Sequence, residues 1–387
     1  MLSNISTVQA SKQKLEINSK KHFSYYKFNL IIINAIALPL LSVAGLNIAI
    51  DPYGIFATPT TTGINKIKPK KEHLGRLYKA FDIRRIKPTT ILLGSSRVET
   101  GLNSNHPGFP QTKLTYNSGF QAANTYEILR YLEHAIAQQP ELEQVILGID
   151  FFMFNSNLTN RDDFSEARLG DKFPSQDMLN ATLSFDALIA SKDTLEANLV
   201  QPHQLNDRNS KITSGFKFWL RSFLNNPELY NGYQFDPKRL KYLNQIVNLC
   251  QQSNIDLKIF ISPTHATQYE AIEVAGLWSV FEQWKREVVA ITPVWDFSGY
   301  NSITTEKISG RAINYLDSSH YSQVTGDLIL NRLLSFNIEQ VPDDFGVYIN
   351  PQNIELHLAK IRQDQRVWQT NNLTEVQLVR EIKLQAN

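Results

Sequence analysis

Two short stretches carry residue types suited to nucleophilic catalysis. Gly94-Ser95-Ser96-Arg97 ends the apolar run TILLG at 90–94, and Asp317-Ser318-Ser319-His320 precedes a periodic stretch at 323–335. A glycine after a buried strand permits a tight strand-to-helix turn, and a hydroxyl on that turn stands exposed above the sheet. Backbone N–H groups of the same turn can converge on one point and stabilise an oxyanion. A carboxylate three residues ahead of an imidazole can reach it, fix its tautomer and favour the imidazolium. Each motif also has a plainer reading. A serine in a strand-to-helix turn caps the helix or binds an anion, and Asp317 can start a turn that leaves His320 on the surface.

Joint placement lifts both motifs, and it depends on the elements between them. The runs QVILGI at 144–149, LKIFIS at 257–262 and PVWDF at 293–297 read as further buried strands. Helical periodicity fills 122–137, 237–253, 269–290 and 323–335. Buried apolar strands separated by helices predict an α/β fold, a flavodoxin-like parallel sheet sandwiched by helices. Such sheets collect function at the carboxyl ends of their strands, where Ser96 and His320 would meet. Two stretches break the rhythm. An insertion at 151–235 is dense in Phe, Trp and Tyr, and 337–387 forms a C-terminal extension with a helix at 353–368.

Composition narrows the class. With 42% hydrophobic and 20% charged residues the chain is no disordered or coiled-coil sequence. Its single cysteine, Cys250, rules out an internal disulfide and a cysteine-based zinc site, and its sparse histidines suggest no metal constellation. The net charge of +2 hides a basic front and an acidic body: residues 1–27 sum to +4, 66–87 to +7, and 88–387 to −8. That profile suits a membrane surface better than nucleic acid, which wants basic charge on the folded domain.

Residues 28–50 carry no charge, and as a helix they extend roughly 34 Å, enough to cross a hydrocarbon core. They predict a transmembrane signal anchor behind a basic cytoplasmic tail at 1–27, with the body outside the cytoplasm. A signal peptide cleaved near Ala44 or Ala49 is the rival reading. Residues 51–69 read as a Thr/Pro/Gly stalk. Residues 71–86 form an amphipathic helix, lying near anionic headgroups or packed on the body.

Taken together, GSS after the first strand and DxxH before the last helix resemble the SGNH (GDSL-like) hydrolase superfamily over 88–336, with the insertion outside the likeness. The resemblance implies that Ser96 is the nucleophile, Asp317 the orienting carboxylate and His320 the general base. It implies oxyanion donors from the N–H groups of Ser96 and Gly119. The family's third block, Gly-x-Asn-Asp, is matched by Gly148-Ile149-Asp150-Phe151, so a carboxyl stands where an amide donor belongs. Within the superfamily the plan is similar to membrane-anchored proteins of cell-envelope polymer acylation, such as those of alginate O-acetylation and teichoic-acid D-alanylation. It implies a serine acyltransferase or esterase at a bacterial plasma membrane, periplasmic or otherwise extracytoplasmic. Its partners would be a polysaccharide acceptor, the lipid bilayer and a membrane-bound acyl donor, with no cofactor. A non-catalytic envelope-assembly protein with a decayed site is the alternative.

Three further features have two readings each. Arg97 either binds an anionic substrate or pairs with Asp150. His265, after the third strand, either touches substrate or fills a turn. The insertion's aromatics either stack on sugars or build core, and the insertion as a whole is the natural lid for excluding water.

Overall fold

The computed structural model describes residues 3–171, 173–199 and 208–385. These fall into two units, one made of the described residues of Met1–His73 and Pro174–Gln201, the other of Leu74–Phe173 and Pro202–Asn387.

The first unit is built on α1 (Ser3–Ile50), with α2 (Pro69–His73), α6 (Ser175–Leu183) and α7 (Phe185–Leu199). Within α1, Ser24–Ile50 has a mean hydropathy of 2.1 over its apolar window and is long and apolar enough to cross a membrane. The end of α1 is held by polar contacts. Asn47, fully buried, donates from Nδ2 to the Thr182 carbonyl at 2.9 Å and accepts from Ser191 Oγ at 2.7 Å. The small buried residues Ala187, Ala190, Ser191 and Thr194 give α7 a narrow inward face. The expected stalk is a folded segment instead. Thr58 Oγ1 donates to the Ile48 carbonyl at 2.6 Å, Asn65 accepts from the Thr61 N–H at 2.7 Å, and Lys68 forms a buried ion pair with Asp51 at 3.0 Å. A buried pair of charges is tolerated only where each finds a partner, so this segment must return to where α1 ends.

The second unit holds β1 (Thr90–Ser95), β2 (Thr115–Phe120), β3 (Gln144–Ile149), β4 (Asp256–Ile261), β5 (Val294–Asp296) and β6 (Val347–Ile349) in one sheet. The order is β2-β1-β3-β4-β5-β6; the first five strands run parallel and β6 pairs antiparallel with β5. The sequence path therefore reverses between β1 and β3, the kind of switch point that opens a crevice at the strands' carboxyl ends. Strand residues alternate between two buried clusters, as a two-sided sheet requires. Ile91, Leu93, Val145, Leu147, Ile259 and Ile261 face one cluster, with α3 (Gly75–Ile86), α5 (Thr125–Gln138), α9 (Pro237–Gln252) and α11 (Trp278–Ile291). Leu92, Ile146 and Phe260 face the other, with α4 (Ser96–Gly101) and α12 (Gln323–Leu334).

Several boundaries differ from expectation for identifiable reasons. β2 reads TYNSGF, half-buried at its start and at the sheet's edge, so it lacks the apolar run that marks the central strands. The helix expected at 269–290 is two, α10 (Ala266–Val274) and α11, parted at Gly276, which takes φ +72°. α3 is not a headgroup helix. Its Arg76 and Lys79 are buried, Arg76 pairing with Glu127 at 2.6 Å and Lys79 with Glu99 at 2.7 Å. Nor is 337–387 an appendage: β6 extends the sheet, and Ile354 and Leu358 of α13 (Ile354–Asn371) and Val379 and Ile382 of α14 (Leu373–Leu384) enter the main core. Many of the insertion's aromatics are core too, although Phe173, Phe185 and Phe218 are exposed. Phe151, Phe152 and Phe154 are buried in a 3-10 turn after β3, beside Tyr230 and Tyr233.

Candidate active site

Ser95 and Ser96 are adjacent but do different work. Ser95 ends β1 in extended conformation and caps α4, its Oγ accepting from the Arg97 N–H at 3.1 Å. The same hydroxyl donates to Asp150 Oδ2 at 2.5 Å, and Ser95 is fully buried. Ser96 opens α4, is partly exposed, and places Oγ 2.9 Å from His320 Nε2. Ser95 thus takes the capping role, and one residue on Ser96 presents its hydroxyl to an imidazole.

His320 is oriented from behind. Its Nδ1 lies 2.9 Å from Asp317 Oδ2 and 3.1 Å from Oδ1. Asp317 Oδ1 also accepts the backbone N–H groups of Ser319 at 2.7 Å and His320 at 2.8 Å, so the loop folds around its own carboxylate. A carboxylate at Nδ1 favours the tautomer with the proton on that nitrogen, which leaves Nε2 as an acceptor for the Ser96 proton. Ser96, His320 and Asp317 lie in hydrogen-bonding sequence, as the two motifs jointly required.

Gly119 departs from its expected role. Its N–H donates to Asn117 Oδ1 at 3.0 Å, so it does not serve as a donor towards Ser96. Its carbonyl accepts from the Lys79 ammonium. Glycine is needed here for close approach: a Cβ would stand 2.4 Å from the Glu99 nitrogen, where α4 crosses β2.

Asp150 is likewise no oxyanion donor. It is buried, with Oδ1 2.6 Å from Arg97 Nη1, and Oδ2 is taken by Ser95. Arg97 is therefore a structural cation rather than a substrate-binding one. Burial opposes its charge, but Asp150, at hydrogen-bond distance, outweighs burial and raises its pKa. Its guanidinium also lies over the rings of Phe152 at 5.3 Å and Phe223 at 5.6 Å.

His265 is sealed as well. It caps α10, Nδ1 accepting from the Thr267 N–H at 3.2 Å, while Nε2 donates to the Glu306 carbonyl at 2.6 Å. Burial pushes its pKa down to about 4, so at neutral pH it is an uncharged turn residue with both nitrogens engaged. It is not placed to touch substrate.

Sequence reasoning assigned a lid to the insertion as a whole without resolving which of its elements meets the triad. Helix α8 (Arg208–Asn225), in the second half of the insertion, packs beside Asp317 and His320. Ile212 and Phe216 enter one core cluster; Leu220, Phe223 and Leu224 enter the other. A Cβ on Gly215 would lie 3.4 Å from Asp317 Cβ, and the Trp219 ring meets the His320 ring edge-on at 4.7 Å and 70°. The first half of the insertion, α6 and α7, belongs to the other unit. Within the second unit 208–225 meets the triad, and no spacing in the sequence distinguishes Trp219 from the core aromatics around it. Among the described residues no group of three or more His, Cys, Asp or Glu is placed to hold a metal ion.

No family model matches this chain, and no curated protein matches it.

Proposed function

We propose that the chain is a membrane-anchored serine acyltransferase or esterase of SGNH-like architecture, acting on O-acyl groups of a cell-envelope or exported polysaccharide. The observation that carries this reading is the Ser96 Oγ–His320 Nε2 distance of 2.9 Å, with Asp317 on the opposite nitrogen. In the first half-reaction Ser96 Oγ attacks the ester carbonyl while His320 Nε2 takes its proton. Collapse of the tetrahedral intermediate releases the alcohol, which receives that proton, and leaves acyl-Ser96. In the second, a sugar hydroxyl or water gives its proton to His320 and takes the acyl group, and the proton returns to Ser96. With Gly119 and Asp150 engaged elsewhere, the Ser96 N–H is the remaining oxyanion donor of those the resemblance implied. The α8 cover favours transfer by limiting water at the triad.

The engagement of Gly119 and Asp150 is also what favours the second reading, an envelope-assembly protein that binds polymer without turnover. One experiment separates them. A fluorophosphonate probe applied to intact membranes labels a live serine nucleophile. Labelling lost on Ser96→Ala and retained on Ser95→Ala is the expected result; absence of labelling in the wild type favours the binding protein. The anchor at a bacterial plasma membrane, with the body outside the cytoplasm, is part of the same proposal. It rests on the Ser24–Ile50 segment. A mature amino terminus mapping after Ala44 or Ala49 would replace the anchor with a cleaved signal.

A further inference from the structure

The position at which the resemblance expects an amide donor holds Asp150, and the structure shows what that carboxylate does instead. It binds Arg97 Nη1 at 2.6 Å, and other Arg97 donors reach the histidine loop. Nε donates to the Ser319 carbonyl at 3.1 Å and to Ser319 Oγ at 3.3 Å, and Nη2 donates to Ser319 Oγ at 3.1 Å. Arg97 is the residue after Ser96, and Ser319 is the residue before His320. The bonded pair therefore sits one residue from each reacting side chain. Asp150 further holds the nucleophile turn through Ser95 Oγ at 2.5 Å. Phe152 and Phe223 flank the guanidinium, which leaves its plane little freedom.

We infer that Arg97 is a positioning residue, clamped by Asp150, that fixes the Ser319–His320 loop against the Ser95–Ser96 turn and so sets the Ser96–His320 distance. The inference rests on the acyl-transfer reading of the triad. A buried ion pair adds little net stability over a packed apolar pair, because desolvation offsets the attraction. A planar fork that satisfies two loops at once gives geometric definition that an apolar contact lacks.

The test uses full-length protein in detergent and reads two quantities from fluorophosphonate labelling: the rate constant and the final labelled fraction. A purely structural role lowers the final fraction as protein unfolds but leaves the rate of folded molecules unchanged. A positioning role lowers the rate while labelling still runs to completion. Arg97→Lys keeps the charge and loses the fork, and its rate is expected to fall about 100-fold, the scale of an ångström-level misplacement. Ser319→Ala removes the hydroxyl and keeps the carbonyl contact; its rate is expected to fall about three- to tenfold, the scale of one hydrogen bond. A folded Arg97→Lys protein labelling at the wild-type rate overturns the clamp. If Arg97→Lys does not fold, an unchanged rate in Ser319→Ala overturns it. A wild type that never labels overturns the acyl-transfer reading, and the clamp falls with it.

Discussion

Two aspartate–histidine pairs stand at the carboxyl edge of the sheet, and they have been put to opposite uses. Asp317 meets His320 Nδ1, and the far nitrogen of that ring faces a hydroxyl. Asp296, at the end of β5, meets His357 Nε2 at 2.8 Å but also takes the buried Lys285 ammonium at 2.6 Å. Lys285 in turn reaches Ser298 Oγ at 2.6 Å, and Asp296 Oδ1 accepts the Ser298 N–H at 2.9 Å. Burial alone would raise the Asp296 carboxyl, yet Lys285 first and His357 after it outweigh burial and hold it well below the usual range. The second cluster is saturated: its serine is bound to an ammonium and its carboxylate to that ammonium and an imidazole. The first has one acceptor left over, and it points at Ser96. Residue types alone do not make a reactive site; an unspent hydrogen-bonding valence does.

The largest expected difference between the pairs is in chemistry. Asp317→Asn should cut the rate of probe labelling by about 10⁴-fold, through loss of the correct imidazole tautomer. Asp296→Asn should leave the labelling rate of folded protein within about twofold, since it touches no group of the triad. Labelling kinetics on both variants make the comparison, and equal losses would erase the distinction.

Stability should reverse the ranking. Asp296→Asn strands a buried ammonium and is expected to cost about 3–5 kcal/mol in denaturant unfolding. Asp317, less deeply buried and bonded chiefly to its own loop, should cost about 1 kcal/mol on the same change. A melt in which Asp317→Asn is the weaker protein would show that the triad loop, not the Lys285 cluster, secures this edge.

A third histidine sharpens the contrast through pH. His265 has a folded-state pKa of about 4 against an ordinary value of 6.5, because burial disfavours its charge. Its contribution to stability is therefore complete above pH 6.5, declines as pH falls, and is gone below about 4. The depression corresponds to about 3 kcal/mol across that window. His265→Asn, which keeps a capping oxygen, should flatten the fall in stability between pH 6.5 and 4 relative to wild type. An unchanged slope would mean that other groups carry the acid sensitivity.

These contrasts show what could be read from the sequence and what could not. The central strands were legible because TILLG and QVILGI are continuous apolar runs, the pattern of strands buried on both faces. DxxH was legible because three residues of spacing suffice to fold a loop around its own carboxylate. The Asp296–His357 pair joins residues 61 apart, from a strand end and a late helix, and no local pattern encodes that meeting. β2 was missed because an edge strand has no need of apolar residues at every position. The fate of Asp150 was open for a different reason. Its sequence position marked it as out of place in an oxyanion site, but only packing shows that Arg97 turns inward to meet it.

The smallest expected effect follows from Trp219, whose indole lies against the His320 imidazole. The emission of an indole depends on the ring packed against it. The protein therefore carries an optical gauge of the histidine beside Ser96. The difference in emission between wild type and Trp219→Phe should change slightly when His320→Gln removes the ring that Trp219 meets. Acylation of Ser96 would change what the histidine faces, so the same signal could be followed through a single turnover, with no substrate carrying a chromophore.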